Sequence, residues 1–139
     1  MAARILIVDD HEVLREGVKS LLAKFRPEWD ICGEGANGEE GIQLTEKLKP
    51  DVTILDITMP EMSGLEASSR MRKSGIGVPF LIFTTHDSER LDAEVREAGA
   101  QGYVLKSQAA RYLVLAIDTL LAGGTFFGER RVPEPVQSQ

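Results

Sequence analysis

Residues 51–64 read DVTILDITMPEMSG. Between Pro50 and Pro60, Val52, Thr53, Ile54 and Leu55 run into Asp56 without a polar–apolar alternation. An unbroken run of this kind marks a short strand covered on both faces, which in turn marks a parallel sheet. The chain restarts as a helix in GLEASSRMRKSG, closing on Gly75, so the unit is strand, turn, helix, with a carboxylate where the strand gives way to the turn.

The same unit recurs outward in both directions. RILIVDD is a strand followed by HEVLREGVKSLLAKF, where Leu14, Val18, Leu21, Leu22 and Phe25 fall at helical spacing. WDICGEG is a weaker strand before the helix GEEGIQLTEKLK; VPFLIFTT precedes SERLDAEVREAG, closing on Gly99; GYVLK precedes AARYLVLAIDTLLAGG, closing on Gly123 and Gly124. Five β–α repeats with short, right-handed connections predict a doubly wound, flavodoxin-like (βα)5 fold, with helices on both faces of a parallel sheet in the order 2-1-3-4-5. Residues 1–123 are read as this domain. Residues 124–139, GTFFGERRVPEPVQSQ, lose periodicity and gain proline, and are read as a linker or frayed tail.

Composition narrows the function. The 139 residues carry 22 acidic and 16 basic side chains, a net charge of −6, which disfavours nucleic-acid binding by phosphate neutralisation. One cysteine, Cys32, supports neither a disulfide framework nor a thiolate metal cluster, and is expected to act as a small apolar residue in a cytoplasmic protein. No apolar run reaches the ~20 residues of a membrane helix.

In open α/β sheets ligands collect beyond the carboxyl ends of the strands. There the first strand offers Asp9 and Asp10, the third Asp56, the fourth Thr84 and Thr85, and the fifth Lys106. Three converging carboxylates repel one another unless a cation compensates, and a hard divalent ion such as Mg2+ suits oxygen ligands. With Lys106 opposite, such a site stabilises a phosphoryl group passing to a carboxylate, Asp56 being the most central acceptor.

The segments ILIVDDHEVLREGV, DVTILDITMPEMSGLE, FLIFTTHD and GYVLKS resemble the signature segments of a response-regulator receiver domain, over roughly residues 4–125. The resemblance implies that Asp56 accepts phosphate from a sensor histidine kinase, that Asp10 binds Mg2+ directly with help from Asp9, and that the backbone carbonyl of Thr58 is the third protein ligand. It implies that Thr84 and Lys106 grip the phosphoryl group, and that Tyr103 is the aromatic whose rotamer follows Thr84. Pro60 and Gly64 match the turn after the acceptor. DDHEVLREGV, DITMPEMSG and LLAGGTFF are most similar to the NarL/FixJ branch, whose members usually carry a LuxR-type helix-turn-helix domain after the linker. Control of transcription and contact with DNA would then come through an output domain not in this chain.

In the last helix, Leu113, Ala116, Ile117 and Leu120 are expected to face the sheet. Val114 and Leu121, aligned with Arg111 and Asp118, are expected on another side, as a partner or homodimer surface shared with the first helix. His11 and His86 sit near the strand ends as groups able to tune phosphate lifetime, His being a poor Mg2+ ligand.

Three alternatives compete. DIT begins like the D-x-D-x-T motif of aspartyl-phosphate phosphatases, but Thr58 stands where the second acid is required. A phosphate-independent receiver-like interaction module would not need the full acidic, threonine and lysine set. Finally, Gly33-x-Gly35-x-x-Gly38 has the pattern of a dinucleotide-binding loop with an acid some twenty residues on. That strand is expected at the sheet edge, and the acid, Asp56, is already assigned. Asn37 and Glu40 form a capping box whose carboxylates, with Glu34 and Glu39, repel a pyrophosphate. These glycines are instead read as a flexible edge-strand exit and helix start, with Gly35 permitting a positive φ.

Overall fold

A computed structural model describes residues 2–127. The elements follow in the order β1 Arg4–Val8, α1 Glu12–Phe25, β2 Asp30–Gly35, α2 Gly38–Leu48, β3 Val52–Asp56, α3 Gly64–Lys73, β4 Phe80–Thr84, α4 Leu91–Glu97, β5 Gly102–Leu105 and α5 Ala109–Leu121. A single 3-10 turn, Lys106–Gln108, joins β5 to α5. All strand pairs are parallel, in the order β2-β1-β3-β4-β5. No helix among the described residues is long and apolar enough to cross a membrane.

The unbroken apolar strands divide by parity, because successive side chains point to opposite faces. Ile5, Ile7, Val52, Ile54, Leu81, Phe83 and Val104 face Val18 and Leu22 of α1 and Leu113, Ala116, Ile117 and Leu120 of α5. Leu6, Val8, Leu55, Phe80, Ile82, Tyr103 and Leu105 face the layer of α2, α3 and α4, with Ala67, Met71, Leu91 and Val95 at its centre. Each strand therefore anchors two layers, and the strand ends are held with little freedom.

Helix ends follow the sequence signals. Gly75, Gly99 and Gly123 close their helices at φ of +87°, +79° and +90°, the left-handed cap that glycine adopts without a Cβ penalty. Cys32 is partly buried against the second layer, and burial raises its thiol pKa, as an inert apolar side chain requires.

Two expectations need correction. Gly35 does not have a positive φ. The crowding is at its neighbours: a Cβ on Gly33 would meet Leu48 at 2.8 Å, and one on Gly38 would meet Met62 at 2.9 Å. Close packing, rather than a left-handed turn, explains glycine at those two positions. The domain boundary at residue 123 also falls too early. Phe126 is 4% exposed within the α1/α5 layer and bridges Gly102 in parallel, and Phe127 packs on the other layer. The rest of the expected tail, 128–139, lies outside the described residues.

Candidate phosphoacceptor site

β1 and β3 are adjacent, so their carboxyl ends bring Asp9, Asp10 and Asp56 together. Asp9 and Asp56 are 2% and 3% exposed, whereas Asp10 faces solvent. One oxygen or nitrogen from each of Asp9, Asp10, His11 and Asp56 lies within 4.8 Å of all the others. Lys106, leaving the end of β5, lays its Nζ 2.8 Å from Asp9 Oδ2 and 3.3 Å from Asp56 Oδ1. A single ammonium thus serves two buried carboxylates, with Asp10 close by.

The imbalance is visible in Asp56. Burial and then the nearby Asp9 charge push its carboxyl pKa above the usual value, while Lys106 and the donated backbone N–H of Thr58 pull it down. Asp9 is held rigidly. It accepts the His11 backbone N–H at 2.9 Å, its side chain takes Lys106, and its backbone carbonyl accepts from the Arg15 guanidinium. Arg15 is fixed in turn by Glu34 at 2.9 Å. A cation with oxygen preference fits this donor set, since the two buried carboxylates share the one Lys106 ammonium and the third carboxylate lies beside them.

Thr84 ends β4, fully buried, and its hydroxyl accepts the His86 backbone N–H at 3.1 Å. Across the β4–β5 ladder Ile82 pairs with Tyr103, so Tyr103 lies one strand over, on the α2/α3/α4 face. It is 4% exposed and makes an edge-to-face contact with Phe127, the ring centroids 6.0 Å apart. The β3–α3 turn is tight: Glu61 takes a φ of +70°, the Met62 N–H donates to the Pro60 carbonyl at 2.7 Å, and Gly64 donates to Ile57 at 3.0 Å. A Cβ on Gly64 would stand 2.0 Å from the Asp56 carbonyl oxygen, so only glycine lets α3 begin so close to the end of β3.

These features belong to a known family. Residues 5–118 match the response regulator receiver domain. The chain is a response regulator receiver, of the NarL/FixJ branch. It is 38% identical over 123 residues to the transcriptional regulatory protein DegU of Brevibacillus brevis, covering 88% of this chain and 52% of that protein. It is 37% identical over 131 residues to the nitrate/nitrite response regulator NarL of Escherichia coli, covering 94% and 60%. A two-component response regulator of the LuxR family from Aurantimonas superposes with a TM-score of 0.87 at 36% identity, over 94% of this chain and 92% of that one. The receiver spans between half and three fifths of the curated relatives it matches.

The surface residues expected on α5 fare differently. Val114 and Leu121 do not form a separate outward stripe; they flank the buried one and pack partly against the α1/α5 core. The outward apolar residue is Leu115, 50% exposed, near Phe25 of α1 at 47%. Asp118 is taken at 2.6 Å by Arg26, which follows the last residue of α1, and Arg111 faces solvent. Sequence reasoning missed Arg15, Arg26 and Leu115. Pairs such as Arg26 and Asp118, 92 positions apart, leave no local signal.

Proposed function

We propose that this receiver takes a phosphoryl group from a sensor histidine kinase onto a carboxylate oxygen of Asp56, with Mg2+, and signals by the rearrangement that follows. The observation that carries this reading is the buried Asp9–Asp56 pair, two carboxylates served by a single lysine. Asp9, Asp10 and Asp56, with the Thr58 carbonyl, are the residues suited to hold Mg2+. Bound there, the ion would supply the charge that draws a phosphodonor's oxygens onto the carboxylates.

The chain's own groups do the rest. The Asp56 oxygen forms the new P–O bond as the donor's P–N bond breaks. Lys106, already within reach of Asp56, exchanges carboxylate contact for a charge-assisted bond to the phosphoryl oxygens. Thr84 turns its hydroxyl toward the same oxygens and gives up the His86 N–H, and Tyr103 follows. The chemistry is confined to the protein's own phosphorylation and its reversal. In a longer cytoplasmic protein, the residues after Phe127 would link this switch to a LuxR-type DNA-binding domain controlling transcription. The α1/α5 face bearing Phe25 and Leu115 is a candidate surface for a second copy.

Incubating the chain with acetyl phosphate and Mg2+ should add ~80 Da, the mass of one phosphoryl group. The adduct should vanish with EDTA or in Asp56→Asn. An adduct of undiminished yield in Asp56→Asn would move the acceptor elsewhere and defeat the assignment.

A further inference from the structure

β5 is an edge strand, and its outer side is not left open. The backbone N–H of Phe126 donates to Gln101 at 2.9 Å, and the Tyr103 N–H donates to Phe126 at 3.1 Å. Together these make one rung of a sixth parallel strand opposite Gly102. The residue at 102 is matched to it: a Cβ there would meet the Phe126 carbonyl oxygen at 2.5 Å, so glycine admits the approaching backbone. Phe126 and Phe127 alternate across the sheet as strand residues do. Phe126 enters the α1/α5 core beside Tyr112, their centroids 6.1 Å apart. Phe127 goes to the opposite face, where its ring meets Tyr103 edge-on at an interplanar angle of 70°, and the Arg96 guanidinium of α4 lies 3.8 Å over the ring centroid.

The aromatic read as following Thr84 is therefore in contact with the stretch that leads out of the domain. We propose that Phe127 is a positioning residue that couples the phosphoacceptor site to the chain beyond it. In the unphosphorylated domain the Phe127 ring holds Tyr103 in place. When Thr84 moves toward a phosphoryl group, Tyr103 moves with it, the edge-to-face contact is lost, and the segment after Phe127 is freed from that anchor. Linkage makes the coupling reciprocal: removing the ring of Phe127 eases occupation of Asp56. The inference rests on the reading of Asp56 as the acceptor. It adds the route by which acceptor occupancy reaches the residues that follow Phe127.

The chain's two tyrosines, Tyr103 and Tyr112, allow a direct test. The whole chain carrying 3-fluorotyrosine should give two 19F resonances, with Phe127→Ala displacing that of Tyr103 and leaving that of Tyr112 near its place. Beryllofluoride with Mg2+, a phosphoryl mimic, should move the wild-type Tyr103 resonance toward its position in Phe127→Ala. Phe127→Ala should bind beryllofluoride ~2–10-fold more tightly, the equivalent of one edge-to-face aromatic pair. Phe127→Tyr, which keeps the ring and adds a third 19F resonance of its own, should restore both the Tyr103 position and the wild-type affinity. Saturable binding that leaves the Tyr103 resonance unmoved, or equal affinity in Phe127→Ala, would overturn the coupling while sparing the acceptor. Binding that is absent, or that persists in Asp56→Asn, would overturn both.

Discussion

The turns leading into α2 and α3 are built from the same local parts. Each has a polar N-cap, a glycine at the first helical position and a glutamate two residues further on. Asn37 accepts the Glu40 N–H at 2.9 Å, and Ser63 accepts the Glu66 N–H at 3.1 Å. Each lies at the carboxyl end of a parallel strand, where a helix start favours anions. Their surroundings differ. At α2 the Glu40 carboxylate turns back onto the Ala36 N–H at 2.7 Å and covers the helix start. At α3, Glu66 turns outward to Arg70 at 2.6 Å, and the turn behind it holds Asp56 among Asp9, Asp10 and Lys106. Capping chemistry made the helix starts alike, and position in the sheet made one of them a candidate site. β2 is an edge strand, whereas β3 meets β1 where the strand order reverses.

Substituting the paired glycines should give the largest contrast. In Gly64→Ala the new Cβ meets backbone, the Asp56 carbonyl at 2.0 Å, so strand or helix must shift. A cost of ~3 kcal/mol or more is expected, the upper end for overpacking, with phosphoryl uptake falling as Asp56 is displaced. In Gly38→Ala the obstacle is the Met62 side chain at 2.9–3.0 Å, a flexible thioether that can move aside, and ~1 kcal/mol should suffice. Denaturant midpoints of the two variants measure this directly. Equal costs would mean that the α3 turn relaxes as easily as its counterpart.

A smaller effect, of opposite sign, is expected at Asp56. Its folded-state pKa stands above the ordinary 3.8, through burial and the Asp9 charge, so the folded chain binds that proton more tightly than the unfolded chain does. The group's favourable contribution is therefore complete below pH 3.8 and is lost as pH rises through the raised folded value. At neutral pH, without metal, the ionised carboxylate costs stability. Asp56→Asn in EDTA should melt ~2–5 °C higher than the wild type, the shift that ~1 kcal/mol gives a domain of this size. Lys106 keeps its 2.8 Å bond to Asp9 in that variant. Mg2+ should raise the wild-type melting temperature more than that of Asp56→Asn. A lower melting temperature for Asp56→Asn in EDTA would show that Lys106 over-compensates the site.

The strands and the polar residues that end them were legible in the sequence because a strand buried on both faces admits polar side chains only where it leaves the core. Asp9, Asp56 and Thr84 announce themselves in this way. The order that makes β1 and β3 neighbours came from the rules for β–α repeats and was borne out. Less legible was whatever depends on packing between distant segments. Glycines 33 and 38 read as a flexible strand exit and helix start but answer to close packing by Leu48 and Met62. Phe126 and Phe127 make a single rung, too short to show a strand's alternation. On α5 the 100° step between residues left Leu115, rather than Val114 or Leu121, outermost, and seven apolar residues among the nine from Leu113 to Leu121 could not specify which.

The smallest expected effect bears on the α2 turn itself. Asn37→Ala removes the acceptor for the Glu40 N–H, but the Glu40 carboxylate still holds the Ala36 N–H. The cost should therefore lie in the lower part of the capping range, ~0.5–1 kcal/mol, seen as a shift in the denaturant midpoint at constant m. Acetyl phosphate should label the variant at the wild-type rate, because the turn's carboxylates serve the helix and Asp9 keeps its own ties to Lys106 and His11. A physical bridge between the turns is Met62, which follows Glu61 in the α3 turn and lies over Gly38 at the start of α2. A slowed rate in Asn37→Ala would mean that fraying of α2 reaches Asp56 through that side chain, and the two turns would then have to be treated as one unit.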